Sequence, residues 1–137
     1  HSFPTRRSSD LGVIFLYNDI VLDHFSNPRN VGDMLDANGI GEVGNPSDGD
    51  NIRIYIKVKN NILINVRFKT YGCGAAIAAS SMITILAMGK TIQDALTIQN
   101  ADVAAALGGL PPQKLLCSNI AADALHNAIR NYLSLQK

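Results

Sequence analysis

The segment Phe68-Lys69-Thr70-Tyr71-Gly72-Cys73-Gly74-Ala75-Ala76-Ile77 carries an alternating apolar run into a glycine-flanked cysteine and then into an alanine-rich stretch. That pattern puts a thiol where a strand ends and a helix begins. Backbone N–H groups without an intrahelical partner and the positive end of the helix dipole both favour an anion there, so Cys73 is expected to reach its thiolate form readily. The thiolate is the form that binds metal or attacks sulfur. Glycines on either side leave room for a ligand or partner to approach the backbone. A buried structural cysteine in a turn is the competing reading.

The second cysteine, Cys117, lies 44 residues further on. That gap is too long for a CxxC redox pair and unlike a zinc-finger spacing. Placement is more informative than spacing. Each thiol is predicted at or near a helix N-terminus, and a glycine-bounded acidic loop, Gly44-Asn45-Pro46-Ser47-Asp48-Gly49-Asp50, precedes a predicted hairpin. Two thiolates with one or two carboxylates form a ligand set suited to zinc or to iron. An ordinary turn, whose aspartates bond their own backbone, accounts equally for Asp48 and Asp50. Hydrolase chemistry is not indicated, because no nucleophile, base and orienting group stand at recognisable positions.

The elements that must position these groups can be read from periodicity. Tyr17, Ile20, Val21 and Phe25 recur at three and four, predicting a short amphipathic helix that Asn27-Pro28 stops. Residues 27–49 carry glycines at 32, 39, 41, 44 and 49, which predicts loop with at most an edge strand at Ile40 to Val43. Asn51 to Lys59 alternates, with Ile52, Ile54, Ile56 and Val58 on one face. After Asn60-Asn61, Ile62, Ile64, Val66 and Phe68 repeat that face, so a hairpin with one buried side is expected. Ala75 to Met88 reads as a helix closed by Gly89. Thr91 with Asp94, and then Asn100, cap two shorter helices, the second stopping at Gly108-Gly109. After Leu110-Pro111-Pro112 a last helix runs to about Leu133, with Asn119, Asp123, His126, Asn127 and Arg130 on its polar side and Cys117 among its apolar residues. Helices with three strands and no βαβ alternation make an α+β fold: a small antiparallel three-stranded sheet, helices packed on one face, and a long C-terminal helix.

A chain of 137 residues fits a single domain. The first eleven residues, His1 to Leu11, differ in composition from the rest and show neither helical nor strand periodicity. They look like a translated sequencing adapter and are set apart as a tag would be, leaving 12–137 as the domain. They carry the whole formal charge of +1, so the remainder is neutral and gives no argument for nucleic-acid binding. Two cysteines, no secretory pattern and no long apolar run predict a soluble cytoplasmic protein with no membrane partner.

Six motifs in register, Asn27-Pro28-Arg29-Asn30-Val31-Gly32, Gly44-Asn45-Pro46, Gly49-Asp50, Phe68 to Gly74, Leu110-Pro111-Pro112-Gln113-Lys114 and Cys117-Ser118, together resemble the iron–sulfur cluster scaffold family of IscU and the NifU amino-terminal domain. The match runs from about Tyr17 to the end. The resemblance implies a non-enzymatic scaffold that binds ferrous iron, accepts sulfur from a cysteine desulfurase, holds a labile [2Fe-2S] cluster and passes it to recipient apo-proteins. It also implies a ligand set of Asp48, Asp50, Cys73 and Cys117, with Cys117 as sulfur acceptor and Ser47 and Gly72 beside the ligands.

Two departures from the family pattern matter. The family's first ligand cysteine, in a Cys-Gly-Asp triplet, is here Asp48 in Asp48-Gly49-Asp50, and Leu116 stands where histidine is common. A carboxylate is harder than a thiolate, so a site that accepts ferrous iron or zinc but holds a cluster less tightly is expected. Position 48 also cannot carry a persulfide. Two alternatives follow: a zinc-bound persulfide relay that builds no cluster, or a metal-free module that binds desulfurase. Leu110, Pro111, Pro112 and Lys114 resemble a segment read by an Hsp70-type chaperone, with Gln113 in place of valine; the prolines also suffice as a helix lead-in. His24 and His126 are expected to be satisfied or solvent-facing rather than ligands. Arg29 is expected to pair with the cluster loop or a desulfurase, or to cap the preceding helix.

Overall fold

The computed structural model of the chain describes residues 18–45, 50–72, 74–110 and 115–135, and of Asn45, Asp50, Leu115 and Leu116 the backbone alone. The adapter-like segment 1–11, Tyr17, Asp48, Cys73 and the proline-containing segment 111–114 lie outside the described residues.

Five helices and three strands are described: α1 (Asp19–Ser26), β1 (Gly39–Asn45), β2 (Asp50–Lys59), β3 (Ile62–Tyr71), α2 (Gly74–Ala87), α3 (Ile92–Leu96), α4 (Asn100–Ala106) and α5 (Leu115–Leu135). The sheet has the order β1-β2-β3 and is antiparallel throughout, as the hairpin pattern requires. Asn60 and Asn61 turn between β2 and β3 with φ of 55° and 65°, the left-handed pair a tight hairpin turn needs. Helices α2 and α5 cover one face, burying Ile52, Ile54, Ile56, Val66, Phe68, Ile83, Leu125 and Ile129 in one core. No described helix is long and apolar enough to cross a membrane.

Three expectations needed correction. The strict alternation that put Ile62 and Ile64 on the buried face of β3 is broken by a bulge: the pairing passes from Lys57↔Asn65 to Val58↔Leu63, leaving Ile64 as the extra residue. Leu63 is therefore fully buried, while Ile62 and Ile64 are exposed. The edge strand is longer than Ile40 to Val43, pairing from Gly39 to Asn45, because the same register carries all seven residues opposite β2. Helix α4 is capped one residue earlier than expected, by Gln99, whose N–H donates to the Asp102 carboxylate at 2.8 Å.

The motif Asn27 to Gly32 is explained by its bonds. Phe68 N–H donates to Asn30 O at 3.0 Å and Gly32 N–H to Phe68 O at 2.9 Å, so residues 30–32 lie along β3 as a short parallel strap. Asn30 takes a left-handed φ of 61° to enter it, and its amide donates to Thr84 Oγ1 on α2 at 3.0 Å. Asp33 then accepts from Tyr55 Oη at 3.1 Å and pairs with Lys69 at 3.2 Å, which seals Tyr55 on the outer face of the sheet.

Candidate metal centre

One end of the sheet gathers the flanks of every predicted ligand. Asn45 pairs with Asp50 where β1 and β2 meet, and Asn51 pairs with Tyr71 one step further along. Gly72 follows at the same end, and α2 starts at Gly74. Thr70 closes this end by donating its hydroxyl to Asn51 O at 2.5 Å. Asp50 and the residues bracketing Cys73 are thus neighbours through strand pairing, with no long connection between them.

Cys117 reaches the same end through α5. That helix runs antiparallel to β1 and nearly touches it: a Cβ at Gly39 would stand 2.6 Å from Ala128 O, and one at Gly41 would strike Ala124 O and Ala128 N. From Gly41 the strand advances about 13 Å to Asn45. Over roughly the same length the helix returns about two turns toward its start. Cys117 therefore lies level with the β1–β2 end of the sheet. Its side chain is 4% exposed, among the apolar residues that α5 turns inward.

Among the described residues no three His, Cys, Asp or Glu side chains stand within reach of one metal ion. Of the four predicted ligands, Asp48 and Cys73 lie outside the described residues and Asp50 is described by its backbone. What is brought together is the sheet end, the start of α2 and the Cys117 turn of α5. The close approach that Gly74 permits is taken up by the chain itself: a Cβ there would stand 3.1 Å from the Phe25 ring of α1. Helix α1 therefore packs beside the start of α2.

The remaining candidates have ordinary roles. His24 is 5% exposed, and its Nδ1 lies 2.7 Å from Ser81 Oγ, which also accepts from Arg29 N–H at 2.9 Å. Burial, reinforced by the Arg29 charge and opposed by Asp23, lowers its pKa from the usual histidine value. His126 reaches Ile98 O through Nε2 at 2.7 Å. Arg29 pairs with Asp23 at 2.7 Å, fastening the strap to α1 and holding the Asp23 carboxyl below its ordinary range. Asn18 was not anticipated: its carboxamide oxygen caps α1 at Val21 N, and its Nδ2 donates to Leu107 O at 2.7 Å. Only the Asx preference for helix starts could have signalled it.

His24 gives the first prediction. A histidine kept neutral when folded binds fewer protons than it does unfolded, so its contribution is complete above about pH 6.5 and is lost as pH falls below that. Urea midpoints measured from pH 7.5 to 5.5 are expected to fall, and to fall less in His24→Gln. An unchanged slope in that variant would assign the dependence to other groups.

Ser118 gives the second. Its Oγ is buried, 1% exposed by residue, with no hydrogen-bond partner among the described residues. A buried hydroxyl left unpaired costs about 1–3 kcal/mol. Ser118→Ala is therefore expected to raise the unfolding free energy by about 1 kcal/mol in urea titration, helped by the better helix propensity of alanine.

Comparison with known proteins decides the family. The model of the NifU-like N terminal domain matches residues 16–137. The chain belongs to that family. Among NifU-like relatives, it is 60% identical over 117 residues to "Iron-sulfur cluster assembly scaffold protein IscU 1" of Archaeoglobus fulgidus, covering 85% of this chain and 76% of that protein. It is 54% identical over 124 residues to the IscU scaffold protein of Aquifex aeolicus, with 89% and 79% covered. The crystal structure of the N-terminal NifU-like protein of Brucella abortus superposes with a TM-score of 0.71 at 17% identity, covering 89% of this chain and 97% of that one, and shares the fold.

Proposed function

We propose that this chain is an iron–sulfur cluster assembly scaffold. The observation that carries the reading is the 60% identity to a protein bearing that name, over a span that includes both cysteines and the acidic turn. The convergence of Asn45, Asp50, Gly72 and the Cys117 turn at one sheet end supports it. In this reading Asp48, Asp50, Cys73 and Cys117 bind the cargo: ferrous iron first, then a [2Fe-2S] cluster built with sulfur from a cysteine desulfurase and released to apo-proteins. Zinc suits the same donors. An Hsp70-type chaperone reading Leu110 to Lys114 would promote release. The role needs no bond-making at carbon or phosphorus, and the protein acts as a carrier.

A mixed carboxylate and thiolate set suits ferrous iron better than it suits a sulfide-bridged cluster, whose metals favour soft ligands. Cys117, as ligand and sulfur acceptor, must also become accessible, because at 4% exposure no donor protein can reach it directly. Sulfur delivery therefore requires the first turn of α5 to become exposed.

Anaerobic reconstitution with ferrous iron and sulfide tests the reading. Visible absorbance with acid-labile sulfide is the expected result; a colourless protein that retains one zinc would replace the scaffold with a persulfide relay. In parallel, Asp48→Cys is expected to retain its cluster longer, about tenfold in half-life against a chelator, as a softer ligand replaces a hard one. An equal half-life would return Asp48 to the turn.

A further inference from the structure

The contact between β1 and α5 is closer than side-chain packing allows. Gly39 and Gly41 alternate inward toward the helix, and a methyl group on either would run into main-chain atoms of Ala124 or Ala128. Main-chain atoms cannot turn aside as a side chain can. Asn131, one turn beyond, donates no apolar surface to this seam; its Oδ1 instead accepts from Ile40 N–H at 2.9 Å, tying the helix to the strand between the two glycines. Both Ala124 and Ala128 are fully buried, so the helix presents its smallest side chains where the strand presents none.

This seam lies about two turns along α5 from Cys117, and it fixes the helix on which Cys117 rides. Two packed elements held backbone to backbone move as one body. A shift of about 1 Å in such a support is enough to spoil a metal site whose ligands come from separate elements.

We propose that Gly41, with Gly39 and Asn131, is a positioning residue: the backbone contact it permits between β1 and α5 sets the distance from Cys117 to the β1–β2 end of the sheet, and with it the coordination this chain offers a metal. The inference rests on the metal centre proposed above.

Cobalt(II) titration of the full chain tests it, since cobalt reports thiolate ligation through its charge-transfer bands and geometry through its d–d bands. Gly41→Ala is expected to lose about tenfold or more in cobalt affinity, the size of a lost support, and to shift the d–d bands while remaining folded by circular dichroism. Leu63→Ala, which opens a cavity under β3 at the hairpin end, is destabilised too but should keep wild-type affinity and bands. Wild-type cobalt binding in Gly41→Ala, or an equal loss in Leu63→Ala, overturns the proposal. If Gly41→Ala does not fold, Asn131→Ala carries the test, with an expected loss of about threefold, one hydrogen bond's worth; an unchanged affinity overturns it. A wild-type protein with no cobalt spectrum would sink the metal centre instead. The seam would then be judged by hydrogen exchange in Asn131→Ala: faster exchange at residues 41–45 and 117–121 together supports it, and a rise confined to Ile40 overturns it.

Discussion

Cys117→Ser is expected to leave a folded protein that no longer takes on colour. Serine has nearly the shape of cysteine, so the buried turn of α5 should accommodate it, at a cost of about 1–3 kcal/mol in urea unfolding for burying a hydroxyl. Its hydroxyl, unlike a thiol, does not ionise near neutral pH and is a poor ligand for soft metal. Altering a group that merely orients a metal ligand costs about 10–100-fold in affinity, so losing the ligand itself should cost more than about 100-fold. The measurement is visible absorbance and bound sulfide after anaerobic reconstitution, with zinc content beside it. Full cluster loading in Cys117→Ser would remove this residue from the ligand set and leave the sheet end to work through Cys73 and the aspartates.

Phe68→Ala should have the largest effect on the fold. Phe68 is 1% exposed, its ring belongs to the central core, and both its backbone groups hold the Asn30–Gly32 strap. Truncating a buried phenylalanine costs about 3–5 kcal/mol, against about 5–15 kcal/mol for a whole domain. A large fraction of the stability goes with one ring. The expected readout is a urea midpoint cut by a third or more, with faster hydrogen exchange at residues 30–32 than at α5. The strap should loosen first, because its two bonds depend on where Phe68 sits. A midpoint within experimental error of wild type would mean that the core closes over the missing ring.

The difference between what could be read in the chain and what could not follows from the range of each interaction. The hairpin was legible because Ile52, Ile54, Ile56 and Val58 alternate strictly and two asparagines suit the turn. The bulge at Ile64 was hidden, since apolar residues occupy 62, 63 and 64 and sequence alone offers no reason to choose Leu63 as the inward one. The helix starts at Thr91 and α2 were readable from local capping and glycine preferences. Gly39 and Gly41 read as loop residues, yet they are glycine because a helix eighty residues later presses on them. The ligand set was proposed from motifs in register, and the convergence of its flanks comes from strand pairing and from α5, both of them long-range. Cys117 was correctly set among apolar residues, though the depth of its burial depends on tertiary packing, which periodicity could not foresee.

Each margin of the three-stranded sheet is capped at one point from within the chain. The Asn30–Gly32 strap takes the open side of β3 at Phe68, and the Asn131 carboxamide occupies the amide of Ile40 on the outer side of β1. Unsatisfied strand margins are where proteins recruit copies of themselves into aggregates. A neighbouring loop and the far end of α5 thus guard those two points against pairing with a second copy.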